Sequence, residues 1–289
     1  MKKILVLAFT CLVIFAYYVP TPKDQYQKEF GMPREKVVDI LVEQIMKYGR
    51  VDDDRIGAGA MPSIQYERFK ILKETAKIGE LLQLTKHFSP VVACYASWGL
   101  IDNGYPRMDT IFTHFLDNKL IVDSQSGCIR MPDHIYQKLY FRYFYAKALI
   151  KNKEYVINYN DQPLWRMDST ILYRNDVNWL LTYRVLKDRK FTKAHLPRIQ
   201  QLAFQNLNFD AIQYLHRHHF TENEDAIKKA AVGYLQKGKI YNHEKIFDFL
   251  LPFRENYINQ ALLKKYEELK EDTWQGESLA EKLKKYKLL

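Results

Sequence analysis

Cysteine is scarce, with three in 289 residues, at Cys11, Cys94 and Cys128. So few thiols exclude a small disulfide-framed scaffold. No Cys-x-x-Cys pair supplies the spacing of a zinc or redox centre. Glycine and proline are also few, eleven and ten, and no Pro/Gly/Ser-rich linker divides the chain. Catalytic signatures are missing too. There is no Gly-x-Ser-x-Gly and no His-Glu-x-x-His, and no Gly-x-x-x-x-Gly-Lys is followed by the Ser or Thr of a phosphate loop. Gly57-Ala58-Gly59 is not followed by the Lys and Ser/Thr that a phosphate loop needs. These absences lower the expectation of an enzyme and imply no cofactor.

What is present is a globular composition, 47% hydrophobic and 27% charged, which excludes wholesale disorder. Tyr occurs 21 times and Phe 16 times, which suits either a helical core with a polar rim or a binding face. The net charge is +10, and the excess is local: Arg130–Gln200 holds fourteen Lys/Arg against six Asp/Glu. A basic middle points to an anionic neighbour such as lipid headgroups, acidic glycan or an acidic protein.

The N-terminus has the form of an address. Met1-Lys2-Lys3 precedes an uncharged apolar run, Ile4–Val19, which Pro20 and Pro22 end. A basic start and a short apolar stretch are the grammar of a signal peptide. Ala16-Tyr17-Tyr18 is a poor cleavage site, so a retained membrane anchor stays open as an alternative. Residues 1–22 are therefore expected to be a signal peptide or anchor, and 23–289 one helical domain facing the periplasm. In that compartment Cys94 and Cys128 are a possible disulfide.

Along the rest of the chain apolar residues recur at helical spacing. Val37, Val38, Leu41, Val42 and Ile45 form the first stripe, closed by Gly49. Arg50–Ser63 reads as the clearest loop. Ser89-Pro90 opens a helix with a capping serine and a first-turn proline. Asn103-Gly104 stops it, and Met108–Asn118 carries the next. Leu120–Met131 reads as extended or irregular. Ile135–Ile150 is apolar on nearly every face and is expected at the centre of the core. Further helices begin near Pro163, Val177, Pro197, Asn208 and Glu222, and three more stripes follow to Tyr286.

Ser89–Asn118 is thus two short antiparallel helices joined by a tight turn, with small residues where helices would touch. This pair resembles a HEAT-type helical repeat, and from Tyr66 to Cys128 the chain is similar to exported bacterial proteins with HEAT-like repeats. One departure is Ala93, where an Arg often follows the Val pair. The resemblance implies an all-α fold, an α-solenoid or HEAT-like superhelix, whose concave face would hold another protein.

Metal chemistry has two weak candidates. Asp52-Asp53-Asp54 beside Gly57 lacks the alternation of an EF-hand, because Ile56 stands at a ligand position. His216 and His219 share a helical face, with His218 pointing away, but spacing supplies no third ligand. The sequence therefore implies no metal site. The basic middle is interleaved with aromatics. In an exported protein that pattern favours an envelope protein, or an anionic lipid or glycan, over nucleic acid. Arg142, Lys147, Trp165, Arg166, Trp179 and Arg184 are the candidate partner-binding residues, since Trp and Arg dominate interface energetics. The expectation is a non-enzymatic interaction or scaffold protein of the bacterial cell envelope. The alternatives are anionic lipid or glycan binding by this basic-aromatic surface and, more remotely, an enzyme without a recognisable motif.

Overall fold

The computed structural model describes residues 31–151, 154–158, 160–237 and 243–289. The expected targeting segment, 1–22, lies outside the described residues. Among them no helix is long and apolar enough to cross a membrane. The chain divides into two compact units between Met167 and Asp168. It is mostly helical, as expected, and some strands accompany the helices.

The first unit opens with α1 (Arg34–Tyr48), which buries Val37, Val38, Leu41 and Ile45 and ends at Gly49 with φ 76°. That left-handed φ suits a residue without Cβ. Two strands follow where a loop was expected, β1 (Val51–Ile56) and β2 (Met61–Pro62). Then come α2 (Ile64–Thr75), α3 (Ile78–Leu84), α4 (Pro90–Asp102) and α5 (Met108–Asn118). The extended stretch forms a hairpin, β3 (Ile121–Gly127) and β4 (Ile129–His134). The sheet order is β2-β1-β3-β4, with β1 parallel to β3 and its other pairings antiparallel.

Three consecutive aspartates disfavour a strand, and β1 forms because their environment answers them. Asp52 is fully buried. Its carboxylate accepts from Arg50 Nε at 2.6 Å, Ser63 Oγ at 2.8 Å and Tyr48 Oη at 3.0 Å. Its backbone N–H donates to Tyr95 Oη at 2.7 Å. A buried charge paired and hydrogen-bonded in this way is tolerated.

The centre of this unit is α4, which buries every residue from Val91 to Ile101. Gly99 makes that possible, since a Cβ there would stand 3.2 Å from a Leu81 methyl and 3.4 Å from Lys73 Cβ. α6 (Ile135–Lys147) is the expected apolar helix, but it is one-sided. Tyr136, Leu139, Tyr140, Tyr143 and Phe144 are buried while Tyr145 is exposed. It stops at Lys147, and β5 (Leu149–Lys151) pairs with β6 (Glu154–Val156). The unit boundary falls within α7 (Gln162–Tyr173).

The described part of the second unit is helical. α8 (Trp179–Asp188) is capped by Asn178, whose Oδ1 accepts from Leu180 N at 2.8 Å. A 3-10 turn, Lys193–His195, leads into α9 (Leu196–Gln200), which loosens into a π turn at Gln201–Gln205. α10 (Phe209–Gln236) begins as expected, with Asn208 Oδ1 accepting from Ala211 N at 2.9 Å. The two helices read from Asn208 and Glu222 are both present within this span, divided by a kink where His219 (φ −145°) and Asn223 (φ −134°) leave helical geometry. Asn223 Nδ2 bonds His219 O at 3.0 Å, and Gln200 Nε2 bonds Asn223 Oδ1 at 3.0 Å. A side chain bonded into the ladder is a known cause of such a kink. α11 (His243–Leu250), α12 (Asn256–Leu269) and α13 (Thr273–Lys285) complete the unit.

Candidate functional site

The second unit contains a cleft of about 440 Å³. Three helices line it, each with residues spaced three or four apart, which therefore share a helical face. α8 contributes Tyr183 and Lys187. α10 contributes Asp210, Gln213 and Arg217, and α11 contributes Lys245, Asp248 and Phe249. The volume is within the range of small-molecule sites.

The cations are positioned by their own elements. Lys187 Nζ lies 5.5 Å from the centre of the Tyr183 ring, one turn back on α8. That contact is within reach of a cation–π attraction. Arg217 donates from Nη2 to Leu186 O at 2.9 Å, which anchors one arm of its guanidinium. Phe249 is held by aromatic neighbours: its ring centre is 5.6 Å from Phe209 and 4.9 Å from His216, both edge-on. Burial lowers the pKa of His216, and nearby Arg217 adds to the shift. His216 packs among Phe220, Phe249 and Phe253 and is not itself part of the lining.

The two carboxylates differ. Asp248 accepts from Lys282 Nζ at 2.6 Å, so its charge is already answered. Asp210 is half-buried, with the charges of Lys245 and Arg217 acting on it. Desolvation raises its pKa, and the charges of Lys245 and Arg217 pull the other way without cancelling the shift. The cleft is thus lined by three cations, two carboxylates, one amide and two aromatic rings. Such a surface attracts negative charge, offers donors and acceptors at fixed places, and presents apolar walls.

The residues singled out from the sequence lie elsewhere. Arg142, on α6, donates to Asp102 at 3.0 and 2.7 Å, and its guanidinium lies 4.5 Å from the Trp98 ring centre. Lys147 Nζ is 5.7 Å from the Tyr143 ring centre. Trp165 is half-buried, and Arg166 pairs with Asp109 at 3.0 Å. These four are in the first unit. Trp179 and Arg184 are in the second, on α8. Trp179 is 72% exposed, whereas Arg184 is buried and pairs with Asp188. Neither lines the cleft, although Tyr183 and Lys187 stand on the same helix.

Cys94 and Cys128 are free thiols, which corrects the possible disulfide. Cys94 is sealed inside α4, and Cys128 is exposed between β3 and β4. Among the described residues no three His, Cys, Asp or Glu side chains gather as a metal site. Asp52 is committed to Arg50, Tyr48 and Ser63, and His219 to Glu222.

The cleft carries no sequence motif. Its signal is three helical stripes, Tyr183/Lys187, Asp210/Gln213/Arg217 and Lys245/Asp248/Phe249, each of which alone reads as a solvated face. No family model, no curated protein and no solved structure matches the chain.

Proposed function

We propose that the chain is a non-enzymatic binding protein of the bacterial cell envelope and that its second unit holds an anionic ligand in the cleft. The observation that carries this reading is the convergence of Lys187, Arg217 and Lys245 from three helices on one concavity. Two carboxylates, Asp210 and Asp248, share the lining, and Asp248 is paired with Lys282. The envelope location rests on Lys2, Lys3 and the uncharged run Ile4–Val19.

A panel of small anions in a thermal-unfolding assay tests the binding reading: phosphate, sulfate, malonate and glucuronate against the full chain. A ligand that binds the folded state raises Tm with concentration. At least one anion is expected to do so, less at high salt, and not in the Arg217→Ala/Lys245→Ala variant. Equal shifts in that variant, or none in either protein, would overturn the reading.

A second reading is the scaffold role, with a HEAT-like superhelix presenting a surface to another envelope protein. Its support is that helices pack on near neighbours in sequence, α3 on α4 and α4 on α6 in the first unit, α11 on α13 and α12 on α13 in the second. Trp179, 72% exposed, offers an aromatic anchor. Capture of a stoichiometric partner from solubilised envelope, lost on Trp179→Ala, would support it; unchanged capture by the variant removes Trp179 from the interface.

A further inference from the structure

We infer that one face of the second unit, Trp179 and Lys187 on α8 with Lys190 and Arg217 beside them, docks on an anionic lipid surface. This goes beyond the cleft reading and does not depend on it, since neither Trp179 nor Lys190 lines the cleft.

Trp179, Tyr183 and Lys187 follow one another at intervals of four residues, so they share a face of α8. Leu181 and Val185 lie on the opposite side of the helix and are buried. Trp179 stands at the start of the exposed face and is 72% exposed. An indole has an apolar body and one N–H donor, which suits the boundary between lipid headgroups and acyl chains.

The other end of the face is cationic. Lys187 and Lys190 are exposed, and so are Arg217 and His218 on α10. Arg217 Nη2 donates to Leu186 O at 2.9 Å, which ties the end of α8 to α10. Partial desolvation lowers the pKa of His218, and the charges of Arg217, Lys190 and His219 add to the shift. Lys190 therefore stands close to the Arg217 end of the patch. Asp188, between the two lysines, is paired with Arg184. Arg217 also acts on Asp210 in the cleft; Lys187 and Lys190 carry the outward charge. Anionic headgroups complement such a patch, with each Lys or Arg near the surface adding to the attraction.

A second exposed tryptophan shows that the pairing of ring and cations is particular to this face. Trp274 is 74% exposed, but exposed Glu271, Asp272 and Glu277 lie within three residues of it. An anionic surface would repel that site. A protein partner fits the α8 face less well than lipid does. A tryptophan anchor in a protein interface is ringed by contacts that exclude water, whereas α8 offers only Trp179 and Lys187 as exposed side chains. A membrane needs no more than an interfacial ring and countercharge.

The test is co-sedimentation of the full chain with vesicles of phosphatidylcholine alone and of phosphatidylcholine mixed with phosphatidylglycerol. The chain is expected to partition more tightly onto the anionic vesicles, with the difference shrinking at high salt. Lys190→Glu, a change of two charges, should weaken anionic partitioning about twentyfold. Trp179→Ala should weaken it about tenfold, and Trp274→Ala should leave it unchanged. Brominated acyl chains should quench the part of the fluorescence that Trp179→Phe removes, which shows contact by this face whatever the N-terminal apolar run does. Equal partitioning onto both vesicles, parent-like partitioning by Lys190→Glu and Trp179→Ala, or an equal loss in Trp274→Ala would each overturn the inference. Absence of lipid binding together with capture of an acidic protein that Lys190→Glu abolishes would assign the face to a protein instead. Melting curves of the variants establish that each is folded before its partitioning is compared.

Discussion

Arg189 Nε donates to Asp168 Oδ2 in the second unit, and neither side chain has any solvent exposure. The pair joins α7 to the residue that follows α8. Two desolvated charges tolerate each other only while both are present. Asp168→Ala should therefore cost about 3–5 kcal/mol in denaturant unfolding. Replacing both with apolar residues of similar volume should cost clearly less than the two single changes together. A loss below about 1 kcal/mol in Asp168→Ala would show that the pair does not hold these helices.

Gly276 is required for a different reason. A Cβ there would lie 2.5 Å from Lys270 O and 2.9 Å from Lys270 C, which are backbone atoms that cannot swing aside. Gly276→Ala should destabilise the protein by about 1–3 kcal/mol. Gly79→Ala is the control. Its Cβ meets nothing within 4 Å and sits on α3, so the change should be neutral or stabilise by up to about 1 kcal/mol. Thermal melts of the two variants, run side by side, check the pair of signs.

The thiols should differ in reactivity. Burial raises the pKa of Cys94 to about 12 and shields it from reagents, while Cys128 is exposed. A maleimide added to the native protein should label Cys128 and spare Cys94 until denaturant is present, as peptide mapping would show. Cys94 labelled as fast as Cys128 would mean that α4 is not sealed.

Asp210 gives a pH dependence with a definite sign. Its folded pKa is raised above the ordinary carboxylate value by desolvation. The folded state therefore binds its proton more tightly than the unfolded chain does, and this contribution favours folding in acid. It is fully present below the unfolded carboxylate pKa and disappears as pH rises through the folded value. Asp210→Asn removes the penalty at neutral pH. The variant should melt higher than the parent at pH 7, and the gap should close as pH falls below the carboxylate range. A gap that is constant with pH would assign the effect to something other than ionisation.

Helix positions were largely legible from apolar spacing and caps, because those signals are local. Gly49, Asn103-Gly104, Pro90 and Asn208 mark ends and starts where the structure has them. The β3–β4 stretch reads as extended or irregular, but β1 and β2 read as loop. Asp52-Asp53-Asp54 looks like solvent-exposed loop until the nearby Tyr48 and Arg50 and the more distant Ser63 and Tyr95 satisfy Asp52. The burial of α6 was overestimated, since Tyr145 is as apolar in sequence as Tyr143 and only packing separates them. The basic-aromatic character of the middle was visible, but which cations converge was not. Arg142 and Arg184 turn inward to Asp102 and Asp188, whereas Lys187 and Arg217, plain in sequence, meet in the cleft. Convergence depends on three helices brought together by tertiary packing, and no stripe carries that information alone.

The most direct test of the central claim is a crystal structure of the full chain grown with the tightest-binding anion of the panel. The account predicts the ligand between α8, α10 and α11, with its negative group within hydrogen-bonding distance of Arg217, Lys187 or Lys245. A ligand bound elsewhere, with this cleft empty, would contradict it.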